Sequence, residues 1–110
     1  MPNIEILGSG RIDERESSFP MAMQLPNGDL LCSYGVGGGP SASGGSDWSR
    51  STDGGESWNV EGTILDLTTD PDTTNFLKLT ISPDGSTVYA YGQRSYRKVG
   101  EPKQRDEPVF

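Results

Sequence analysis

The sequence predicts an all-β protein built from antiparallel four-stranded units, and three observations lead to this fold class. Short apolar runs alternate with a period of two residues, turn signals separate them, and no amphipathic helical stretch interrupts them. One pattern also recurs, because LPNGDLLCSYG (25–35) aligns with SPDGSTVYAYG (82–92). Their glycines, Gly28 and Gly85, lie 57 residues apart, which indicates a repeated sheet.

The first unit begins with a predicted hairpin. The run from Phe19 to Leu25 alternates, and the run from Leu30 to Tyr34 forms the return strand. Between them, Asn27 and Gly28 predict a tight turn, since both positions tolerate a positive φ. The first strand should place four apolar side chains on one side: Phe19, Met21, Met23 and Leu25.

The glycine-rich segment 35–47 is predicted to be a long loop. Trp48 to Ser51 then forms a short third strand, and the polar run 51–58 turns the chain back. Trp58 to Leu67 completes the unit as its fourth strand.

The pattern then restarts in a second unit. Asn75 to Ile81 alternates, 82–86 reads as a turn with Pro and Gly, and Thr87 to Tyr91 is the next strand. Residues 107–110 fall about where a third strand is due.

Repeated four-stranded units are typical of β-propeller blades. We therefore predict a single partial propeller domain over 1–110, holding roughly one and a half to two blades. The first blade spans 17–67, and the second, incomplete blade spans 74–110.

Composition limits the core and the partners. Only 21 of 110 residues are Leu, Ile, Val or Phe, and the net charge is −7. Such a chain is either partly disordered or buries its apolar faces against something outside it. The negative charge argues against nucleic acid, since phosphates would be repelled. We expect no cofactor and no metal site, because the chain has no His, and its single cysteine, Cys32, reads as a small core residue.

The N-terminal segment MPNIEILGSGR lacks the apolar stretch of a signal peptide. No apolar run is long enough to span a membrane, so no membrane association is expected. A cytoplasmic origin and a trimmed precursor both fit.

The run 51–58, Ser-Thr-Asp-Gly-Gly-Glu-Ser-Trp, is predicted to be a turn that satisfies its own polar groups. Asp53 can accept hydrogen bonds from backbone N–H groups of its own turn, and Gly54 and Gly55 permit positive φ. Trp58 can then fold back over the turn as a hydrophobic lid.

This run resembles the Asp-box, or bacterial neuraminidase repeat, of the sialidase superfamily, whose pattern is Ser-x-Asp-x-Gly-x-Thr/Ser-Trp. The match is complete over eight positions, and the wider resemblance covers about 17–110. It implies a sialidase-like β-propeller, and it implies that the Asp-box is structural, away from the catalytic face. The structural residues are Ser51, Asp53, Gly55, Ser57 and Trp58.

Sialidases clamp the sugar carboxylate with arginines and use an Asp as acid/base, with a Tyr nucleophile supplied elsewhere. Ser18 stands where the resemblance places the first Arg, and a serine cannot clamp a carboxylate ionically. Arg15 or Arg11 could reach the same space from outside the strand. Asp47 is the candidate catalytic acid/base, the alternative being that it simply starts the third strand.

The segment 91–107 is a second candidate surface. Arg94 and Arg97, with Tyr96 between them, could line a sugar or anion pocket, because aromatic and arginine side chains are common in ligand sites. The alternative is a solvated loop between strands.

Three functions remain open at this stage. The chain is part of a glycan-recognising propeller without a complete catalytic set, or it belongs to an exo-sialidase-type glycoside hydrolase completed by absent sequence. Alternatively it is a non-catalytic fragment that closes a propeller by homo-oligomerisation. The expected partners are a carbohydrate ligand and further blades or copies of the chain.

Overall fold

The computed structural model describes residues 5–15, 17–36, 45–65, 73–96 and 105–109, with the backbone alone for 73–76, 95–96, 105–107 and 109. All secondary structure in these ranges is β. The strands are β1 (Ser17–Gln24), β2 (Leu30–Val36), β3 (Gly45–Ser51), β4 (Asn59–Leu65), β5 (Thr73–Ile81), β6 (Val88–Tyr96) and β7 (Arg105–Val109).

The strands form two antiparallel sheets. The first sheet has the order β1-β2-β3-β4, and the second sheet has the order β5-β6-β7. The predicted all-β antiparallel architecture is therefore confirmed. The assignment of each sheet to a propeller blade stays a prediction.

Several strands are longer than the sequence pattern predicts. β2 continues to Val36, β3 begins at Gly45 and β6 continues to Tyr96. In these extensions the strands run through glycines and small polar residues. Each of these residues has a partner on the neighbouring strand that satisfies its backbone N–H and C=O groups. Asp47, predicted to lie in the loop 35–47, is consequently the third residue of β3 and pairs with Tyr34.

The first hairpin turns at the predicted residues. The Gly28 N–H donates to the Leu25 carbonyl at 2.9 Å, and the Leu25 N–H donates to the Asp29 carbonyl at 2.8 Å. Only Gly28 has a positive φ, at 94°, whereas Asn27 does not. The turn is a three-residue loop that needs one left-handed glycine.

β1 is irregular near its start. Phe19 has a φ of 55°, and the register with β2 shifts between Ser18 and Met21. The predicted apolar side of this strand is broken there, since Phe19 is 62% exposed. A bulge of this kind re-aims side chains and ends regular pairing at the edge of a sheet.

The core lies on the two central strands of the first sheet. Cys32 and Tyr34 on β2 share a face with Ser49 on β3, and residues 5–15 run past this face. Leu31 and Trp48 point the other way and line a cavity of about 330 Å³ against the second sheet. Cys32 is 1% exposed, which confirms it as a small core residue.

Three turns lie at one end of the molecule: 26–29, 51–58 and 82–87. A Cβ on Gly85 would lie 3.1 Å from Cγ of Pro26, so two of these turns touch across the sheets. The start of β1, the end of β2 and the start of β3 therefore form the opposite end. Across the described ranges, no helix has the length and apolar character needed to cross a membrane.

Candidate functional site

The turn between β3 and β4, residues 51–58, is bonded almost entirely to itself, and we refer to it as the Asp53 corner. Asp53 Oδ1 accepts from Ser51 Oγ at 2.8 Å and from the Ser57 N–H at 2.9 Å, and Oδ2 accepts from Ser57 Oγ. Ser51 Oγ in turn accepts from the Gly55 N–H at 2.9 Å. These bonds, led by that of the Ser57 hydroxyl, lower the pKa of Asp53 to about 2.

The indole of Trp58 closes the same corner. Its Nε1–H donates to the Gly55 carbonyl at 3.1 Å, and Leu30 packs below, 3.6 Å from where a Cβ on Gly55 would lie. Gly54 and Gly55 have φ of 77° and 97°, which a residue with a side chain adopts only under strain. The corner thus has the predicted form, a polar turn under an aromatic lid.

A second cluster, at the opposite end of the first sheet, joins residues from three segments, and we refer to it as the Arg15 cluster. Arg15 Nη2 donates to Asp13 Oδ2 at 2.5 Å and to Asp47 Oδ2 at 2.9 Å. Arg15 Nε also donates to both oxygens of Asp13 at 3.1 Å. One guanidinium therefore holds two carboxylates, one from the N-terminal segment and one from β3.

Tyr34 connects the Arg15 cluster to the sheet. Its hydroxyl donates to Asp13 Oδ2 at 2.9 Å, so Ser49 Oγ, 2.6 Å away, is the donor in the other contact. Burial, chiefly, raises the pKa of Tyr34, while Arg15 holds the pKa of Asp13 well below its usual range. The side chain of Asp13 is only 5% exposed, whereas that of Arg15 is 47% exposed, so the network is buried at the carboxylate and open to solvent at the guanidinium.

The structure brings Arg15 and Asp47, two of the candidate residues from the sequence, into direct contact. In this contact Asp47 accepts a hydrogen bond from Arg15 Nη2, which a ligand carboxylate would otherwise need as a donor. Asp47 sits 12% exposed inside β3, about 13 Å along the strand from Ser51 at 3.3 Å per residue. The candidate site and the Asp53 corner are therefore at opposite ends of one strand.

A recess of about 250 Å³ opens beside the Arg15 cluster. Asp13, Tyr34 and Ser18 line it together with the apolar side chains of Ile12 and Pro20. Arg11 reaches its rim and pairs with Glu14 at 3.0 Å, both side chains being well exposed. Ser18, which stands where the resemblance places an arginine, lies in this recess, and Arg11 lines it, whereas Arg15 is not among the lining residues.

The second predicted surface is only partly described. Arg94 lies half-buried in β6, opposite Asn75 on β5 and Glu107 on β7. Tyr96 is the last residue of β6, and its side chain is outside the described residues, as is the whole of Arg97. Among the residues that the structure describes, no group of three or more His, Cys, Asp or Glu side chains is placed to hold a metal ion.

Sequence reasoning missed Asp13, Tyr34 and Ser49 as members of the site. The sequence predicts Tyr34 only as the last residue of the return strand, and its pairing with Asp47 depends on a register between β2 and β3 that no local pattern indicates. The spacing Asp13-x-Arg15 was a usable signal, because an aspartate can bond the backbone N–H two residues on, here at 2.9 Å.

Comparisons of this chain with protein-family models, with curated proteins and with solved structures give no match.

Proposed function

We propose that this chain is part of a sialidase-like Asp-box β-propeller that recognises glycans, without a complete catalytic set of its own. One observation carries the proposal: the Asp53 corner makes the hydrogen bonds that the eight-residue motif implies, and it joins the third and fourth strands of an antiparallel sheet. A second sheet packs on the first, as neighbouring blades would.

The recess beside Ser18 is the place where a glycan would bind. It lies at the end of the first sheet opposite the Asp53 corner, where the resemblance puts the ligand face. Its lining combines apolar walls with a few fixed polar groups, which is the usual make-up of a small-molecule site. Ser18 in place of an arginine favours recognition over sialidase chemistry.

Binding to an immobilised glycan panel tests this function. We expect retention of at least one glycan, weakened at least threefold by Ser18→Ala, which removes only a hydroxyl from the recess. Asp84→Asn, in the far turn 82–87, is the matched control and should bind as the parent does. Absence of any glycan binding would overturn recognition, and turnover of a fluorogenic sialoside would favour the hydrolase alternative.

Assembly from copies of the chain is a second candidate, favoured by one surface. Tyr89 and Tyr91 on β6 are 54% and 44% exposed, and Tyr91 lines a recess with the exposed Phe19 and Met21 of β1. Light scattering after size exclusion tests it: a multimer that Tyr89→Ser with Tyr91→Ser dissociates would support closure by copies, and a monomer would contradict it.

A further inference from the structure

We propose that the recess beside Ser18 selects non-acidic sugars, taking a neutral or amine-bearing pyranose and rejecting one that carries a carboxylate. This inference rests on the proposed glycan recognition and deepens it, because it names the class of ligand for the same recess. It also separates this chain from the acidic-sugar chemistry that the resemblance to sialidases would suggest.

The charge of the Arg15 cluster is the first argument. Asp13 and Asp47 bring two negative charges against the one positive charge of Arg15, so the cluster carries a net charge of −1. Asp13 remains ionised across the neutral range, since Arg15 holds its pKa well below the usual value. Asp13 is the member of the cluster that lines the recess, and Arg15 and Asp47 are joined to it, so an entering sugar carboxylate would approach a group of net negative charge through Asp13.

The geometry of Arg15 is the second argument. A carboxylate is best bound by two parallel N–H donors of one guanidinium. Nε and Nη2 of Arg15, one such pair, already donate to Asp13, and Nη2 also donates to Asp47. A ligand carboxylate could take the Nε and Nη2 pair only by displacing Asp13, which is tethered two residues away.

The remaining charges near the recess do not reverse this preference. Arg11 also lines the recess, but it is paired with Glu14 at 3.0 Å and its side chain is 71% exposed, so its attraction for a carboxylate is screened by salt. Ser17 and Ser18 contribute hydroxyl groups and no charge.

The shape of the recess fits one sugar ring. At about 250 Å³ it lies just below the range for drug-sized ligands, which begins near 300 Å³. Ile12 and Pro20 supply apolar walls for the C–H face of a pyranose, and Ser17 and Ser18 supply polar atoms for its hydroxyls.

A matched series of methyl glycosides tests the selectivity: the glucoside, the 2-amino-2-deoxyglucoside and the glucuronide, titrated by NMR into the full chain. We expect the glucuronide to bind at least tenfold more weakly than the glucoside, and the amino sugar to bind at least as well as the glucoside. Raising the salt concentration should shrink the difference, because its origin is electrostatic.

Two variants test whether the charge of the Arg15 cluster causes the weaker binding of the glucuronide. Asp47→Asn neutralises the cluster while leaving the Asp13–Arg15 pair, and it should narrow the glucoside-to-glucuronide ratio at least threefold. Glu14→Gln removes the same charge from the exposed rim and should leave the ratio within a factor of two.

The outcomes distinguish this inference from the function on which it rests. Glucoside binding together with equal or tighter glucuronide binding overturns the charge selectivity alone. An unchanged ratio in Asp47→Asn, confirmed as folded by its amide spectrum, overturns the assignment to the Arg15 cluster. If none of the three sugars binds and the glycan panel is also empty, the proposed recognition itself fails.

Discussion

The Asp53 corner and the turn 82–87, which we name the Asp84 corner, use the same carboxylate device in different settings. In both, a serine hydroxyl two residues earlier donates to Oδ1 of the aspartate, at 2.8 Å from Ser51 and at 2.6 Å from Ser82. In both, a later backbone N–H also donates to that oxygen, from Ser57 at 2.9 Å and from Ser86 at 3.0 Å. The two aspartates accordingly share a pKa lowered to about 2.

The corners differ in length and in covering. The Asp53 corner contains two left-handed glycines and ends in Trp58, whereas the Asp84 corner contains one left-handed glycine and ends in Thr87. A bonded aspartate is therefore a general way to build a turn in this chain. What sets the Asp53 corner apart is the aromatic lid over the longer turn.

Removing the lid is expected to have the largest effect. Trp58→Ala loses the hydrogen bond to the Gly55 carbonyl and the packing of a half-buried indole, so the free energy of unfolding should fall by about 2 kcal/mol, below the roughly 3–5 kcal/mol of a fully buried aromatic. Urea unfolding measures it. Thr87→Ala, the equivalent position of the other corner, should cost less than about 0.5 kcal/mol. Equal losses would mean that the lid does not distinguish the corners.

Glycine substitutions are expected to have an intermediate effect. Gly54→Ala places a Cβ in open space at a φ of 77°, so its cost, about 1–2 kcal/mol, reports left-handed strain alone. Gly85→Ala has nearly the same φ, 76°, but its Cβ would press on Pro26 at 3.1 Å across the two sheets. We expect it to cost about 0.5 kcal/mol more by urea unfolding. A smaller cost than that of Gly54→Ala would show that the contact between the turns is loose.

The two ends of the first sheet differ in how far the sequence could predict them. Every bond of the Asp53 corner joins residues no more than four positions apart, so the local pattern was enough. The Arg15 cluster joins Arg15 to Asp47 across 32 positions and Tyr34 to Asp13 across 21. The Arg15 cluster depends on the register of the strands and on the path of residues 5–15. That segment has no periodic apolar pattern from which its path could be predicted.

Two further features illustrate the same limit. Phe19 takes a positive φ without the glycine that normally signals one, so the bulge in β1 had no sequence marker. The carboxylate bonding of Asp84, by contrast, was readable, because Ser82-x-Asp84 repeats the spacing of Ser51-x-Asp53. Pro83 and Gly85 predict the turn correctly, but neither of them indicates the hydrogen bonds of Asp84.

The smallest expected effect is on the pH dependence of stability, and it tests whether the two carboxylates are equivalent. Both pKa values, about 2, lie below the usual value of about 3.9, so the unfolded chain binds protons more readily than the folded chain does. The contribution of each carboxylate is therefore present above about pH 4 and is lost as the pH falls toward 2. Asp53→Asn and Asp84→Asn should each flatten the loss of stability between pH 5 and pH 2.5, by similar amounts.

Trp58→Ala is the control for this measurement, because the indole bonds the Gly55 carbonyl and not the carboxylate. It should lower the unfolding midpoint at every pH while keeping the acid slope of the parent. A flattened slope in Trp58→Ala would mean that the lid holds Asp53 in its bonded position, so that lid and carboxylate act as one unit. A slope that changes in Asp53→Asn but not in Asp84→Asn would mean that the bonds of the uncovered corner do not persist in solution.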